Sequence, residues 1–74
     1  MYAVFSNEKI FSGITDRIDN NSKCIFVQVN EETAKQILSN LDKEIIYNDA
    51  DKKIEIYWND DNGKYLVDTI LLPS

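Results

Sequence analysis

The chain has 74 residues, of which 43% are hydrophobic and 28% charged, a mixture that predicts one small globular domain over residues 1–74 and excludes a disordered chain. Thirteen acidic and eight basic side chains give a net charge of −5, which disfavours direct binding of the chain to DNA or RNA. Histidine is absent and Cys24 is the one cysteine, so a histidine-assisted nucleophile and an internal disulfide are excluded.

Three strands are predicted before the helix. Tyr2–Phe5 is rich in β-forming residues, and residues 9–14 resume that pattern after a turn-like Ser-Asn-Glu, which predicts a hairpin. Residues 16–23 contain Asp-Asn-Asn-Ser, whose short side chains bond to the neighbouring backbone, and they form the predicted loop. The third strand, residues 24–29, is apolar on both faces, which predicts a central place in the sheet.

A helix is predicted over residues 31–41. Asn30 stands at the N-cap position, and Glu31 and Glu32 place negative charge in the first turn, where the helix dipole favours it. The apolar positions follow the spacing of one helical face: Ala34, Ile37, Leu38 and Leu41. We therefore expect these four side chains to pack on one face of the sheet.

Three further strands are predicted after the helix, over residues 44–48, 53–58 and 65–72. Apolar and polar residues alternate in the middle one of the three. The alternation places two sets of side chains on opposite faces, with Ile54, Ile56 and Trp58 in the core and Glu55 and Tyr57 on the outer face.

The predicted fold class is α+β. We expect a mostly antiparallel sheet of five to six strands with one helix packed on one face, in the order βββαβββ. The Asn-Asp-Asp-Asn-Gly run at residues 59–63 predicts a tight turn, and Pro73 is expected to end the last strand. The sheet edge is predicted at residues 2–5 or 65–72, where pairing with a second copy would give a homodimer.

The sequence also predicts a cytoplasmic protein. No stretch reaches the ~18 apolar residues of a membrane helix, and the first residues lack the basic start and apolar run of a signal peptide. With a single cysteine, the chain does not depend on disulfides, which fits a reducing compartment.

No catalytic, metal-binding or cofactor-binding site is predicted. The acidic residues from Asp49 onward suggest oxygen ligands for calcium, but Lys53 then falls at a ligand position and Ile54 stands where an EF-hand loop needs glycine. The sequence has no glycine-rich phosphate loop and no Cys-x-x-Cys pair. A chain this short also leaves little room for a substrate pocket of ~300 Å³, so we expect a protein that is not an enzyme.

An acidic surface with an exposed tyrosine is the predicted partner-binding site. Tyrosine buries a large area at low entropy cost, and surrounding carboxylates steer a basic partner toward it. The candidate residues are Asp49, Asp51, Glu55, Tyr57, Asp60 and Asp61. The alternative is that cross-strand tyrosine pairs do no more than stabilise the sheet.

Three segments resemble those of small accessory proteins encoded in phage genomes. They are the Met-Tyr-Ala-Val-Phe opening with its Asn-Glu-Lys turn, Val-Asn-Glu-Glu-Thr before the helix, and Ile-Ile-Tyr-Asn-Asp-Ala-Asp-Lys-Lys-Ile in the hairpin. The resemblance extends over residues 2–56 and implies either an acidic inhibitor of host defence, such as an anti-CRISPR protein, or a tail-associated virion domain. Neither kind of protein assigns a role to a particular residue here.

The predicted function is that of a non-enzymatic phage- or mobile-element-type protein that binds and inhibits a host defence protein in the host cytoplasm. Its partner is expected to be a nuclease or CRISPR effector, whose basic groove the acidic surface occupies in place of nucleic acid. The alternative is a virion or tail component that assembles through its sheet edges.

Overall fold

The computed structural model describes residues 1–72, and the elements in this range follow the predicted order. The α+β class is therefore confirmed. Pro73, the predicted end of the last strand, lies outside the described residues. The elements are β1 (Tyr2–Phe5), β2 (Phe11–Thr15), β3 (Ile25–Gln28), α1 (Glu31–Leu38), β4 (Glu44–Asn48), β5 (Lys53–Asp60) and β6 (Gly63–Leu71).

The strands form two three-stranded antiparallel sheets, with the orders β2-β1-β3 and β4-β5-β6. The prediction of one sheet of five to six strands was wrong. The two sheets meet where Tyr47 N–H donates to the Lys9 carbonyl at 2.9 Å and Ile10 forms a β-bridge with Ile46. Because β2 and β4 share one bridge and not a ladder, the strands divide into two sheets at this seam.

The strand order corrects two predictions about edges. β1 lies in the centre of its sheet, so residues 2–5 are not an edge, and β3 lies at an edge and not in the centre. Of its two apolar faces, the one with Val27 packs in the core, whereas Phe26 lies opposite Val4 on the other face, where both are partly exposed. The predicted edge at the last strand is confirmed, since β6 is the outer strand of its sheet.

The helix begins where it was predicted and ends three residues earlier. Asn30 has an extended backbone, and its side-chain oxygen accepts from Thr33 N–H at 2.7 Å, which confirms the N-cap. The chain leaves the helix after Leu38 in a tight turn, in which Asn40 N–H donates to the Ile37 carbonyl at 3.0 Å. Leu41 therefore lies outside the helix.

The core lies between α1 and the two sheets. Of the predicted helical face, Ala34 and Ile37 are buried, whereas Leu38 and Leu41 are 50% and 58% exposed, so the prediction that all four pack on the sheet was wrong. Leu41 lies beyond the end of the helix, so the helical spacing does not direct it toward the sheet. The buried set is Ala3, Phe5, Val27, Val29, Ala34, Ile37, Ile45, Tyr47, Ile54, Ile56 and Ile70.

Candidate functional site

The hairpin of β5 and β6 divides into two halves at a β-bulge. Ile56 pairs with Asp68 and Tyr57 pairs with Leu66, which leaves Val67 without a cross-strand partner. An extra residue in one strand bends that strand and increases its twist. Before the bulge lie the buried side chains of the sheet, whereas every residue from 58 to 68 is exposed. We call residues 57–67, the half of the hairpin beyond the bulge, the arm.

Trp58 belongs to this exposed half, which corrects its predicted place in the core. Its ring is 42% exposed, although Ile56, two residues earlier on the same face, is fully buried. The difference arises from what covers that face. Gln36 on α1 reaches the sheet at Asp68, where its Nε2 donates to Oδ2 at 2.9 Å, and the helix ends two residues later. Nothing in α1 extends over the next row of the sheet, in which Trp58 lies.

The arm exposes large apolar side chains on both of its faces. Trp58 lies directly opposite Tyr65 on the face toward the helix, and Tyr57 lies opposite Leu66 on the outer face. Trp58, Tyr65, Leu66 and Val67 are 42–51% exposed. Directly opposed residues have their Cβ atoms about 5 Å apart, so Trp58 and Tyr65 are neighbours on this face of the hairpin. Contiguous exposed apolar surface of this kind is typical of protein-binding sites.

A lysine lies over each of two aromatic rings at the base of the arm. The Nζ of Lys64 is 4.6 Å from the ring centroid of Tyr57 and 3.4 Å from Glu44 Oε1. The Nζ of Lys43 is 6.0 Å from the ring centroid of Trp58. The ion pair of Lys64 with Glu44 joins the arm to β4, and the contact of Lys43 with Trp58 joins it to the loop before β4.

A shallow pocket extends the arm surface past Lys43. It has a volume of about 290 Å³ and lies at the seam where β2 and β4 diverge. A groove of about 540 Å³ lies beside β3, so the expectation that a chain this short leaves little room for a pocket of ~300 Å³ was wrong. Apolar side chains of Ile10 and Leu41, which are 43% and 58% exposed, line the shallow pocket together with Lys43. The pocket can accept a side chain from a protein that covers Trp58.

The structure separates the predicted acidic residues into two groups. Asp49 and Asp51 lie in the turn before β5, and Asp60 and Asp61 lie at its other end, at the tip of the arm. The eight residues of β5 place about 23 Å between these groups at the usual rise of a strand. The arm thus brings together Tyr57, Asp60 and Asp61.

The three predicted site carboxylates outside the arm, Asp49, Asp51 and Glu55, have lysine partners. Asp49 Oδ1 lies 2.8 Å from Lys9 Nζ, and Lys53 Nζ lies 3.8 Å from Asp51 and 3.6 Å from Glu55. The hydrogen bond from Lys9 holds the pKa of Asp49 below its ordinary value, and the charge of the lysine acts in the same direction. Much of the negative charge predicted for a partner is therefore compensated within the protein.

The tip of the arm keeps its carboxylates on the surface. Asp60 Oδ1 accepts from Asn62 N–H at 2.8 Å, and Gly63 follows with a positive φ of 133°. This local bond and the glycine form the tight turn that the sequence predicts. Asp60 and Asp61 are both exposed, so the hairpin presents two carboxylates next to its aromatic face.

Sequence reasoning missed Tyr65, Leu66 and Val67 as site residues. Three consecutive apolar residues break the alternation of a half-buried strand, and this run is the signal that could have indicated the bulge. The sequence pattern placed Tyr65 on the outer face with Tyr57, and this was wrong. The bulge reverses which residues of β6 face the helix, so Tyr65 lies on the same face as Trp58.

Other kinds of site receive no support from the geometry of residues 1–72. Within that range, no three acidic or cysteine side chains come together as metal ligands. No helix in the described part of the chain has the length and apolar character needed to cross a membrane. No protein-family model, curated protein or solved structure significantly matches this chain. Among the ten exposed large hydrophobic side chains of residues 1–72, four lie in the arm: Trp58, Tyr65, Leu66 and Val67.

Proposed function

We propose that this chain is a non-enzymatic protein that works by binding another protein through the arm. The observation that supports this proposal is the cross-strand pair of Trp58 and Tyr65. Both side chains are large, and they are 42% and 49% exposed. Tryptophan and tyrosine are the residues most enriched among the anchors of protein interfaces. Their burial by a partner removes apolar area from water at about 25 cal/mol per Å².

The chemistry of the arm indicates a basic partner. Asp60 and Asp61 lie at its tip, and the chain as a whole carries a net charge of −5. Carboxylates at the end of an apolar hairpin fit a groove whose floor is apolar and whose rim carries lysine and arginine. We propose a nuclease or CRISPR effector of the host as this partner. In that case the arm enters the groove that otherwise binds nucleic acid, and the protein acts as a phage- or mobile-element-type inhibitor.

This proposal gives the six predicted residues different roles. Asp60 and Asp61 contact the partner, and Tyr57 supports the arm beneath Lys64. Asp49, Asp51 and Glu55 keep their lysine partners and do not enter the groove. Trp58 and Tyr65 take the anchoring role that the sequence assigned to Tyr57.

The proposal is tested by capturing a partner from the host's lysate and measuring its affinity for matched variants. The double variant Trp58→Ala/Tyr65→Ala is expected to lose at least ~2 kcal/mol of binding free energy, about a thirtyfold weaker Kd. Ile18→Ala is the control, because Ile18 is 49% exposed but lies in the loop between β2 and β3. Equal affinity for the double variant and the control would refute binding through the arm.

The charge of the tip is tested separately. Asp60→Asn/Asp61→Asn keeps the acceptor in the turn and removes both charges, so it is expected to slow association at low salt and to reduce the salt dependence of the rate. Asp16→Asn/Asp19→Asn is the matched control, because Asp19 makes the same kind of turn bond, accepting from Asn21 N–H at 3.0 Å. An identical salt dependence for the two double variants would refute the basic partner.

Assembly through sheet edges is the second candidate, because the nine residues of β6 form the outer strand of their sheet. Two features oppose it. The bulge at Val67 interrupts the edge, and Asp68 lies on the face of the sheet that carries Ile56, where a charge disfavours a packed neighbour. Deletion of Val67 should make the strand regular and increase self-association in sedimentation experiments. The opposite result, a wild-type protein that self-associates and a deletion variant that does not, would make assembly the favoured function.

A further inference from the structure

A second surface lies at the opposite end of β5 from the tip of the arm. An open groove of about 540 Å³ runs along the outer edge of β3, between that strand and the other sheet. The wall formed by the second sheet carries Tyr47, Lys52 and Leu72. Leu72 is fixed there by its N–H, which donates to the Lys52 carbonyl at 3.1 Å.

The backbone of β3 presents free hydrogen-bonding groups to this groove. Val29 N–H donates to the Met1 carbonyl at 3.1 Å, so Met1 and Val29 are a hydrogen-bonded pair of the β1–β3 ladder. Hydrogen-bonded pairs alternate along an antiparallel ladder, so the next such pair is Ala3 with Val27. Phe26 and Gln28 fall between these pairs, and their N–H and C=O groups point away from β1, into the groove.

The side chains of the groove are apolar, with one polar contact available on the far wall. Ile25, Val27 and Leu72 line it. Tyr47 is 8% exposed, and its hydroxyl makes no hydrogen bond within residues 1–72. An extended segment in the groove would meet free backbone groups on one side and apolar side chains beneath it, which are the two requirements for addition of a strand to a sheet edge.

Lys52 is the one charged side chain among the described residues that line the groove. In the turn before it, Asp49 pairs with Lys9, and Asp51 shares Lys53 with Glu55. Lys52 itself makes no ion pair among the described residues, and neither does Lys23, two residues before β3. Both lysines are exposed. A carboxylate in a segment bound in the groove would therefore give Lys52 an ion-pair partner.

We propose that the edge of β3 is a docking site for an extended acidic peptide from another protein, which adds to the sheet as a fourth strand beside β3. The peptide accepts and donates hydrogen bonds at Phe26 and Gln28, places alternate apolar side chains on Ile25 and Leu72, and places a carboxylate at Lys52. This site goes beyond the proposed function of the arm. About 23 Å of β5 separates Lys52 from the tip, so the two sites can be occupied together.

Selection from a displayed library of eight-residue peptides tests the site, with the folded wild-type chain as the target. The enriched peptides are expected to alternate apolar and acidic residues. Gln28→Pro removes the N–H that points into the groove and leaves the ladder to β1 intact, because Gln28 does not donate to that strand. Enriched peptides should bind Gln28→Pro at least tenfold more weakly than the matched control Gln28→Ala, which keeps the N–H.

The role of the charge is tested with Lys52→Asn. Asparagine tolerates the positive φ of 55° at this position, so the variant removes the charge without straining the turn. An exposed charge pair accounts for about a two- to fivefold change in Kd, and acidic peptides should lose that factor. The same peptides with glutamine in place of each acidic residue should bind wild type and Lys52→Asn equally.

Amide spectra of the wild-type chain provide a readout that does not depend on a variant that folds. Saturating peptide should shift the amide signals of Phe26 and Gln28 and slow their hydrogen exchange, while Trp58 and Tyr65 stay unchanged. The proposal is overturned if no peptide is enriched, if enriched peptides bind the proline and alanine variants equally, or if the shifts fall on the arm. Trp58→Ala/Tyr65→Ala should bind these peptides as wild type does, which separates this site from the arm.

Discussion

The two halves of the β5–β6 hairpin have similar sequences and opposite environments. Before the bulge, Ile54, Ile56 and Ile70 are 0%, 0% and 7% exposed, and after it Trp58 and Tyr65 are 42% and 49% exposed. Both halves consist of apolar residues in paired antiparallel strands. They differ in what lies over them, because α1 and the other sheet cover the first half and end before the second.

This difference shows that alternation predicts which face a side chain lies on but not whether that face is covered. Trp58 has the same orientation as Ile56, as its position in the strand requires. Trp58 lies beyond the bulge at Val67 and beyond the end of α1, and its side chain is therefore partly exposed to solvent. An exposed tryptophan lowers the solubility of a small domain unless a function requires it. For this reason we propose that Trp58 has a role in binding.

The largest expected effect is the contrast between truncations in the two halves. Ile56→Ala removes a fully buried side chain and should reduce the free energy of unfolding by about 2–5 kcal/mol. Trp58→Ala should reduce it by about 1 kcal/mol or less, because much of the ring is already in water. Urea unfolding followed by circular dichroism measures both variants without depending on tryptophan fluorescence. Equal losses would mean that the arm is packed as the core is.

A smaller effect is expected from the helix that covers the first half. Asn30→Ala removes the acceptor of the Thr33 N–H and should reduce the free energy of unfolding by about 0.5–2 kcal/mol. Asn30→Asp keeps an acceptor and should be close to wild type. Because the helix does not cover the arm, affinity for a partner should be unchanged in Asn30→Ala. Weaker binding by that variant would show that Gln36 and Asp68 couple the helix to the arm.

The smallest effect concerns the turn at the far end of β5. Asp49 has a lowered pKa because Lys9 donates to it, so its contribution to stability is present above the ordinary aspartate pKa and is lost as the pH falls through the lowered value. In Lys9→Asn the pKa of Asp49 should rise toward its ordinary value, and this loss on acidification should disappear. Carbon NMR titration of the Asp49 carboxyl measures the pKa. A pKa that is the same in both proteins would exclude the contact.

Local features of the fold could be predicted from the sequence. Asn30 marks the start of the helix because capping depends on neighbouring residues alone, and the turn at Gly63 follows from residues 59–63 in the same way. The place of β3 and the division into two sheets depend on pairing between residues distant in the chain, such as Ile10 with Ile46. Nothing in the local pattern specifies that pairing.

The candidate site shows the same limit. Asp60 and Asp61 were predicted as surface residues and are exposed at the tip of the arm, because the turn places them there. Tyr57 lies on the outer face as alternation requires, but it is half-buried and not the exposed tyrosine that the sequence predicted, because Lys64 lies over its ring. The partner of Asp49 could not be predicted, since Lys9 lies 40 residues from Asp49 in the sequence. Lys53 lies two residues from both Asp51 and Glu55, so those pairings were local and were missed. From the sequence alone, an acidic residue that has a distant lysine partner in the fold cannot be distinguished from one that has no partner.

The exposure of Trp58 in the free protein is the most direct test of this account, because it is the one tryptophan of the chain. Iodide quenching of its fluorescence should be efficient in the folded protein, at every protein concentration, and should fall when a partner is added. A blue-shifted emission that iodide does not quench, in the free and dilute protein, would place Trp58 in a packed core and contradict the proposed binding surface.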